Sequence, residues 1–441
     1  MPKLHAQNIQ ILLPWEPFRV TKSEIIGEDL HIHFGPVSAT GVCPDCGQTY
    51  RIHQWREIEL LGPPVALHKK SFWHVRYCNQ ECQCCGYFRT QDIPFRFGRT
   101  KCTTYLAKMV CDDMNANSET VVEVARRYGL KWDMVKNIHK TFLRMLACAV
   151  PTPEGPRIAA VDEFSIEKRH RYATLVVNAE NKYPLFIHRG NSAEDFKPFF
   201  ERYDETFYSR IEAFAMDQNA SYSSVVRECL PQCAVVCDYF HMVKNYNDDV
   251  IDRIRARMAR DANISGNPQR LRRLKGSKRL LLKRIRDDDW DARLALQDIM
   301  DENMDLDVAL HMRERLQDMY DGCRDESMME RLWRRWCEMA RESGIPELMR
   351  YAEKKARRTA EIISHARFAI SSGIIEGCIH KIKVLKRVAY GFRDWEYFFL
   401  RIWESLLPKG LVAECARTVW ESFGLEETGK GGFENGHWEA D

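Results

Sequence analysis

The sequence predicts a multidomain α+β protein: an N-terminal zinc-knuckle domain, a helix-turn-helix, and an α/β domain interrupted by an all-helical insertion. Three observations lead there. Two near-copies of a Cys-x-x-Cys-Gly knuckle lie between positions 43 and 86, and a helix-turn-helix pattern follows them. Short apolar runs then alternate with helical stretches until a long, charge-rich helical segment separates them from one last apolar helix. A chain of 441 residues, 45% hydrophobic and 29% charged, is long enough to bury several cores.

The first domain is expected over residues 1–98. It carries CPDCG from Cys43 to Gly47 and CQCCG from Cys82 to Gly86. In each knuckle two thiolates can grip one tetrahedral Zn²⁺ while the glycine permits the tight turn beneath. The pairing points to Cys43, Cys46, Cys82 and Cys85, with Cys78 and Cys84 as further candidates. No open ligand position is apparent, so one structural Zn²⁺ is expected. Of the sixteen cysteines, six lie in this cluster and ten are scattered singly, which favours reduced thiols over a disulfide scaffold.

Residues 99–150 read as helical. Within Thr120–Leu143, the apolar positions Val121, Val124 and Ala125 have helical spacing, Gly129 ends the helix, and the period resumes from Trp132 to Ile138. Such helix pairs are common packing units. In the DNA-binding version the second helix enters the major groove, which would aim Lys131, Lys136, Asn137 and Lys140 at DNA.

After the Pro-rich linker PTPEGP, residues 151–247 change character. Three strand-like runs (RIAAVDEF, RYATLVVNAE, YPLFIHRG) precede a helical segment from Ala193 to Tyr203. The strand IEAFAMD, a helix over Ala220–Cys229, the strand CAVVCD and a helix from Phe240 complete the series. This β-β-β-α-β-α-β-α order is that of a ribonuclease H-like α/β domain, whose first and fourth strands lie side by side. Both end in an aspartate here, Asp162 and Asp217, which would put two carboxylates within reach of shared metal ions. Residues 248–365 form the expected helical insertion. Residues 366–424 are expected to return to the α/β domain through a helix, Ile374–Ala389, whose stripe Ile375, Ile379, Ile382, Leu385 and Ala389 would pack on the sheet. Glu376 lies on another stripe, with His380, Lys383 and Arg387. The tail, 425–441, reads as flexible.

Phosphodiester chemistry passes through a negatively charged transition state that two Mg²⁺ (or Mn²⁺) ions can stabilise. Those ions need hard oxygen ligands, and Asp162, Asp217 and Glu376 could supply them from three separate elements. Each acid taken singly is as readily a helix cap or a strand-end hydrogen-bonding group. Glu163 should face away from Asp162 on its strand. Asp238, followed by Phe240 and His241, is either a further ligand or a cap. His170 has a structural or a DNA-contact reading.

A net charge of +3 excludes little, so the location of positive charge matters more. Between Ile251 and Arg286 there are thirteen Lys or Arg and two acids, Asp252 and Asp261. Arg272, Arg273, Lys275 and Lys278 in that run, and Lys383, Lys386 and Arg387 after Glu376, are the expected phosphate contacts; the bland alternative is a solvated helix face.

The motifs VDEFSIEKRHRYATLVV, AMDQNASY, VVCDYFHMVKN and EGCIHKIKVLKRVAYGFRDWEYFFLRI, together with the knuckles and the helix-turn-helix, resemble the ISL-three family of bacterial insertion-sequence transposases over nearly the whole chain. The resemblance implies a DDE transposase with a zinc-binding N-terminal domain, a DNA-binding helix-turn-helix and a ribonuclease H-like catalytic domain interrupted by helices. By position, the family's three acids fall on Asp162, Asp217 and Glu376, and its Asp-x-Phe-His element on Asp238, Phe240 and His241. The chain departs from the family after the Glu-Gly pair, where Ile379 and His380 stand in place of asparagines.

The expected activity is therefore metal-dependent cleavage and strand transfer of double-stranded DNA, at transposon-end inverted repeats and at a target, by a homodimer or larger synaptic complex. Two rivals keep the fold: a catalytically inactive zinc-containing DNA-binding regulator, and a nuclease or resolvase without strand transfer. No apolar run approaches the roughly 18 residues of a membrane span and no signal peptide is apparent, so the expected location is cytoplasmic, on nucleoid DNA.

Overall fold

The computed structural model describes residues 17–66, 69–116, 119–167, 171–217, 220–282, 290–301, 303–370, 373–389 and 391–425. His170, positions 283–289 of the basic run and the tail beyond Leu425 lie outside these. The chain divides into two compact units, Met1–Thr152 with Val384–Asp441, and Pro153–Lys383. No described helix is long and apolar enough to cross a membrane.

The first unit opens on a sheet that the cysteine motifs do not announce. Its strands are β1 (Phe18–Ile26), β2 (Asp29–Pro36), β3 (Arg51–Ala66), β4 (Lys69–Glu81) and β5 (Phe88–Thr90), ordered β1-β2-β4-β3 with β5 on β4. Alternation sets the faces. Phe18, Val20, Ile32, Phe34, Leu60, Trp73 and Val75 close on Phe95 as a core. On the strands between these positions stand His31, His33 and His74, with His31 Nδ1 2.9 Å from His74 Nε2.

Three helices follow, α1 (Thr104–Ala116), α2 (Val121–Tyr128) and α3 (Trp132–Ala149). The α2–α3 pair is built as its sequence suggests. Thr120 and Glu123 form a reciprocal capping box, and Gly129 closes α2 at φ +62°, a left-handed conformation that favours glycine. The core between the helices takes in Val110, Val124, Val135, Ile138, Phe142 and Leu146, together with Tyr397, Val419 and Trp420 from much later in the chain. Phe142 and Trp420 stack 5.1 Å apart.

The second unit holds a mixed sheet of β6 (Ile158–Glu167), β7 (Arg171–Asn178), β8 (Pro184–Arg189), β9 (Ala213–Met216) and β10 (Ala234–Cys237), ordered β10-β9-β6-β7-β8. The runs IAAV, AFAM and AVVC pair in parallel and are apolar almost throughout, as strands covered on both faces must be. β7 and β8 extend the sheet antiparallel. The first and fourth strands do lie side by side. One face carries a core of Ala159, Val161, Phe214, Met216 and Val235 with Phe196, Phe199 and Tyr222. These aromatics come from α4 (Ala193–Phe196), the 3-10 turn Lys197–Glu201 and α6 (Ala220–Cys229); α5 is Glu205–Ser209.

Helix α7 (Tyr239–Tyr246) runs through a π-helical turn, Asn247–Ile251, into the helical segment. That segment comprises α8 (Asp252–Ile264), α9 (Pro268–Gly276), α10 (Lys278–Leu282), α11 (Trp290–Asp301), α12 (Met304–Gly322), α13 (Glu326–Glu342), α14 (Pro346–Ala356) and α15 (Thr359–Arg367). Its core joins Trp333, Trp336 and Tyr351 to Met242 and Tyr246. Tyr246 Oη donates to the Ala309 carbonyl and Tyr351 Oη to that of Met242, which anchors the helices to α7.

Helix α16 (Gly373–Val388) carries Glu376, and α17 (Trp395–Leu406) and α18 (Lys409–Glu421) follow. Residues 366–424, expected together, therefore divide. Positions up to Lys383 belong with the α/β sheet, whereas α17 and α18 bury Tyr397, Cys415, Val419 and Trp420 in the core around α3.

Candidate active site

The strand registers place three aspartates at one level. Val161 pairs with Met216, and Met216 with Cys237, so the next residue on each of the three parallel strands is Asp162, Asp217 and Asp238. Ligands gather at the carboxyl ends of parallel strands because the chain turns away there and leaves the side chains uncovered. A cleft of about 760 Å³ opens at this edge, lined by Asp162, Glu163, Asp217, Asp238, His241 and Glu376 among others. Glu376 arrives on the first turn of α16, whose Ile375 is buried; Ile374 and Ile375 line a small cavity together with Ala160, Ala215 and Val236 of the sheet. The three predicted acids thus share one cleft. Glu163 also borders it, just past the last pairing of β6 with β9, and accepts a hydrogen bond from Asn191 Nδ2 at 3.3 Å.

The charges there are in tension. Burial pushes the Asp162 carboxyl up to about 6, the neighbouring Asp217 and Asp238 push the same way, and the Glu163 amide at 2.7 Å and the nearby His241 only partly relieve it. Asp238 is committed elsewhere. One oxygen accepts the Phe240 amide as the cap of α7 at 2.8 Å, and the other accepts His241 Nδ1 at 3.0 Å. His241 Nε2 stands 3.9 Å from Asp217. Burial lowers the imidazole pKa, but the Asp238 hydrogen bond and the charges of Asp217, Asp238 and Asp162 more than offset it, leaving it above the ordinary histidine value. A divalent cation suits this donor set, because hard oxygens crowded by like charge gain from a shared positive ion. The oxygens of Asp162, Asp217 and Glu376 do not converge to within 4.8 Å of one another, as the cysteine sulfurs do.

Cations border the same cleft. Lys383 follows Glu376 by two turns and is exposed; Lys386 is half-buried and Arg387 exposed further along α16. Lys244, Asn245, Lys354 and Arg358 also line the cleft, and sequence reading did not single them out. Lys354 pairs with Asp249 at 3.4 Å and Arg358 with Glu361 at 3.0 Å. For Lys244 the signal was present: it follows Phe240 by four residues on one helix.

The other expected residues fall as follows. Cys43, Cys46, Cys82 and Cys85 have their sulfurs mutually within 4.8 Å, with Cys43–Cys85 at 3.6 Å and Cys46–Cys82 at 3.3 Å. A tetrahedron with Zn–S bonds of about 2.3 Å has edges of roughly 3.8 Å, so the four thiols could hold such an ion. Gly47 and Gly86 return their amides to Cys43 and Cys82, both at 2.9 Å and both at positive φ. Backbone hydrogen bonds from Cys85 and Cys84 draw the Cys82 thiol down to about 7. Cys78 is buried against Gln91 instead, and Cys84 is exposed.

On α3, Lys131 and Asn137 are exposed. Lys136 and Lys140 are spent on Asp394, at 3.1 and 2.8 Å, and Lys140 also reaches Glu396 at 3.0 Å. Arg144 clasps Glu396 with two hydrogen bonds, which together with Lys140 pull that carboxyl down to about 2. In the basic run Arg272, Arg273 and Lys275 are exposed, whereas Lys278 pairs with Asp252 at 2.7 Å. Arg253, Arg255 and Arg257 find Asp249, Asp252, Asp305 and Glu347. Acids outside the counted window therefore cancel part of its excess.

Comparison with known proteins carries the reading further. A transposase family profile, the DDE type of ISL3, matches residues 159–402, which include all three acids of the cleft. The chain is 32% identical to the transposase for insertion sequence element IS1001 of Bordetella parapertussis over 413 residues, 90% of this chain and 98% of that protein. It is 26% identical to the transposase for insertion sequence element IS1557 of Mycobacterium tuberculosis over 259 residues, 54% of this chain and 57% of that one. These relatives are transposases, a class of enzymes that cut and join DNA. The chain belongs to the ISL3 family of insertion-sequence transposases.

Proposed function

We propose that this protein is a DDE transposase that binds the terminal inverted repeats of its insertion sequence, cuts at their ends and joins them to target DNA. The observation that carries the reading is the gathering of Asp162, Asp217 and Glu376 on one cleft at the ends of the parallel strands. On this reading residues 151–247 with the Glu376 helix are a ribonuclease H-like catalytic domain, and residues 248–365 are its helical insertion. Residues 1–98 form a zinc domain held by Cys43, Cys46, Cys82 and Cys85, and residues 99–150 a DNA-binding helix-turn-helix. Two Mg²⁺ (or Mn²⁺) ions on the three carboxylates would activate the attacking oxygen and stabilise the leaving one.

The chain's own groups position the strand. His241, held by Asp238, fixes the Asp217 side of the cleft, while Lys383 and Lys244 flank the phosphates. Water cleaves the phosphodiester to leave a 3′-hydroxyl on the transposon end, and that hydroxyl then displaces a 3′-oxygen in the target strand. Joining two ends calls for two active sites, so the working form is a homodimer or larger assembly on double-stranded DNA in the cytoplasm. Lys131 and Asn137 of α3 are the exposed candidates for base and phosphate contact; Lys136 and Lys140 set the helix against Asp394.

The test is cleavage and strand transfer of a labelled transposon-end duplex with Mg²⁺ or Mn²⁺. Wild type should give joined products, and Glu376→Gln should bind the duplex equally well and leave it uncut. Bound, uncut DNA with both proteins would identify a regulator of the same fold. The basic helix α9 has its own measurement. Reversing the charge of Arg272 and Lys275 together should lower the slope of log affinity against log salt by about 2, near 0.9 per phosphate contact. An unchanged slope would make this a solvated face.

A further inference from the structure

Phe240 is misplaced as a core residue. It is 39% exposed and lines the carboxylate cleft, while every other described phenylalanine between positions 153 and 383 is buried or half-buried. The fold holds it there. Asp238 caps its amide at 2.8 Å, and the ring meets the His241 imidazole edge-on at 5.6 Å, beside the Asp217 carboxylate. The 39% of its surface that stays in water beside the carboxylates adds nothing to folding, since only apolar area withdrawn from water does so. Lys244 stands four residues further along the same side of α7, exposed and on the same cleft, and Lys383 borders the cleft from α16.

An aromatic face next to phosphate-binding cations matches one nucleotide: the ring takes the base and the cation takes the phosphate. A base inside a duplex has both faces covered by its neighbours, so such a ring is of use only to a nucleotide that has left the stack. We infer that Phe240 stacks on an unpaired base at the transposon end, with Lys244 on the phosphate of that nucleotide, so that the cleft takes a strand whose end has been opened. The inference rests on the transposase reading for the identity of the DNA. It adds a residue that selects an opened end over a paired one, and it gives the Phe-His pair after Asp238 a division of roles, with the exposed Phe240 toward the base and the half-buried His241 toward the carboxylates.

A cycle of affinities tests it without chemistry. Full-length wild type, Phe240→Ala and Phe240→Trp are titrated, in buffer free of Mg²⁺ and Mn²⁺, against a duplex in which the inverted repeat of the insertion sequence runs on into flanking DNA, so that no base of the repeat has a free face. The same titrations use duplexes in which one nucleotide at a time near the end is abasic. At one position, loss of the base should weaken wild-type binding about 5- to 150-fold. Phe240→Ala should bind intact DNA weaker by a similar factor and be indifferent to the missing base, and Phe240→Trp should behave as wild type. The proposal is overturned by a Phe240→Ala loss of equal size on intact and abasic DNA at every position, the mark of a merely structural ring, or by no loss at all. Mg²⁺-dependent cutting of the intact duplex by wild type, run in parallel, separates the two readings. Cutting without coupling sinks the stacking alone; coupling without cutting leaves the stacking standing and sinks the transposase chemistry.

Discussion

Replacing Asp162 by asparagine is expected to remove strand cleavage while making the protein, free of Mg²⁺, more stable. The two effects share one cause. Asp162 is pushed from its ordinary 3.8 to about 6, chiefly by burial and further by Asp217 and Asp238. Between about pH 4 and 6 the native carboxyl keeps a proton that the unfolded chain has released, so stability falls as pH rises through that window. Once the group is ionised the deficit is about 3 kcal/mol, at roughly 1.4 kcal/mol per pKa unit. Asparagine carries no charge, and its oxygen can still accept the Glu163 amide that Asp162 accepts at 2.7 Å. Thermal midpoints in Mg²⁺-free buffer should therefore coincide for the two proteins below pH 4 and separate in favour of Asp162→Asn above pH 6. Cleavage should drop by roughly a thousand-fold or more, because a neutral amide neither holds a divalent ion nor balances its charge. An asparagine variant that still cuts, or that loses stability above pH 6, would place the catalytic carboxylate elsewhere.

Stripping the metal from the cysteine knuckles should melt them locally and leave the sheet beside them folded. The knuckles have almost no core of their own. Their buried cluster consists of Cys43, Tyr50 and Cys82, with Cys46 packed against it, whereas the sheet closes a separate core of eight residues around Trp73 and Phe34. Burying one tyrosine is worth about 2 to 3 kcal/mol, against the roughly 10 to 16 kcal/mol that zinc supplies to small thiolate sites. A strong chelator should release one Zn²⁺ per chain and speed hydrogen exchange of the amides of Cys43, Gly47, Cys82 and Gly86, which close the two turns. Exchange in β1, β2 and β4 should hardly change. Cys82→Ser should lose the metal, while Cys84→Ser and Cys78→Ser keep it. Unchanged exchange after verified loss of zinc would mean that the turns stand without it.

Features that repeat locally were legible in the sequence. The aspartates of IAAVD, AFAMD and VVCD end three apolar runs of similar length, and parallel pairing then brings them to one level. Glu376 was legible for a related reason, because the stripe from Ile375 to Ile382 fixes which side of α16 meets the sheet. The N-terminal sheet was less legible although FRV, IHF and WHV alternate correctly, because β2 pairs with β4 about forty residues away and no local signal announces that partner. Nothing near Lys136 and Lys140 announces their partners. Asp394 and Glu396 lie more than 250 residues further along, and a window of sequence cannot see a counter-charge supplied by the fold. The same blindness inflated the basic run, where Arg257 meets Asp305 and Glu347.

The late arrival of α17 and α18 in the first unit also sets a timetable. Tyr397, Val419 and Trp420 are part of the core that holds the α2–α3 pair, so that core cannot close while the ribosome is still making the intervening chain. At 5 to 20 residues per second, the stretch from residue 153 to residue 425 takes roughly 14 to 55 seconds. Throughout that interval Phe97, Phe142 and Leu146 have no Trp420 to cover them. The sheet of the second unit, whose strands all lie between Ile158 and Cys237, has its sequence complete long before. The helices α1 to α3 are therefore made early and are among the last to mature, and a chain broken off before Trp420 is left with an open apolar face on them.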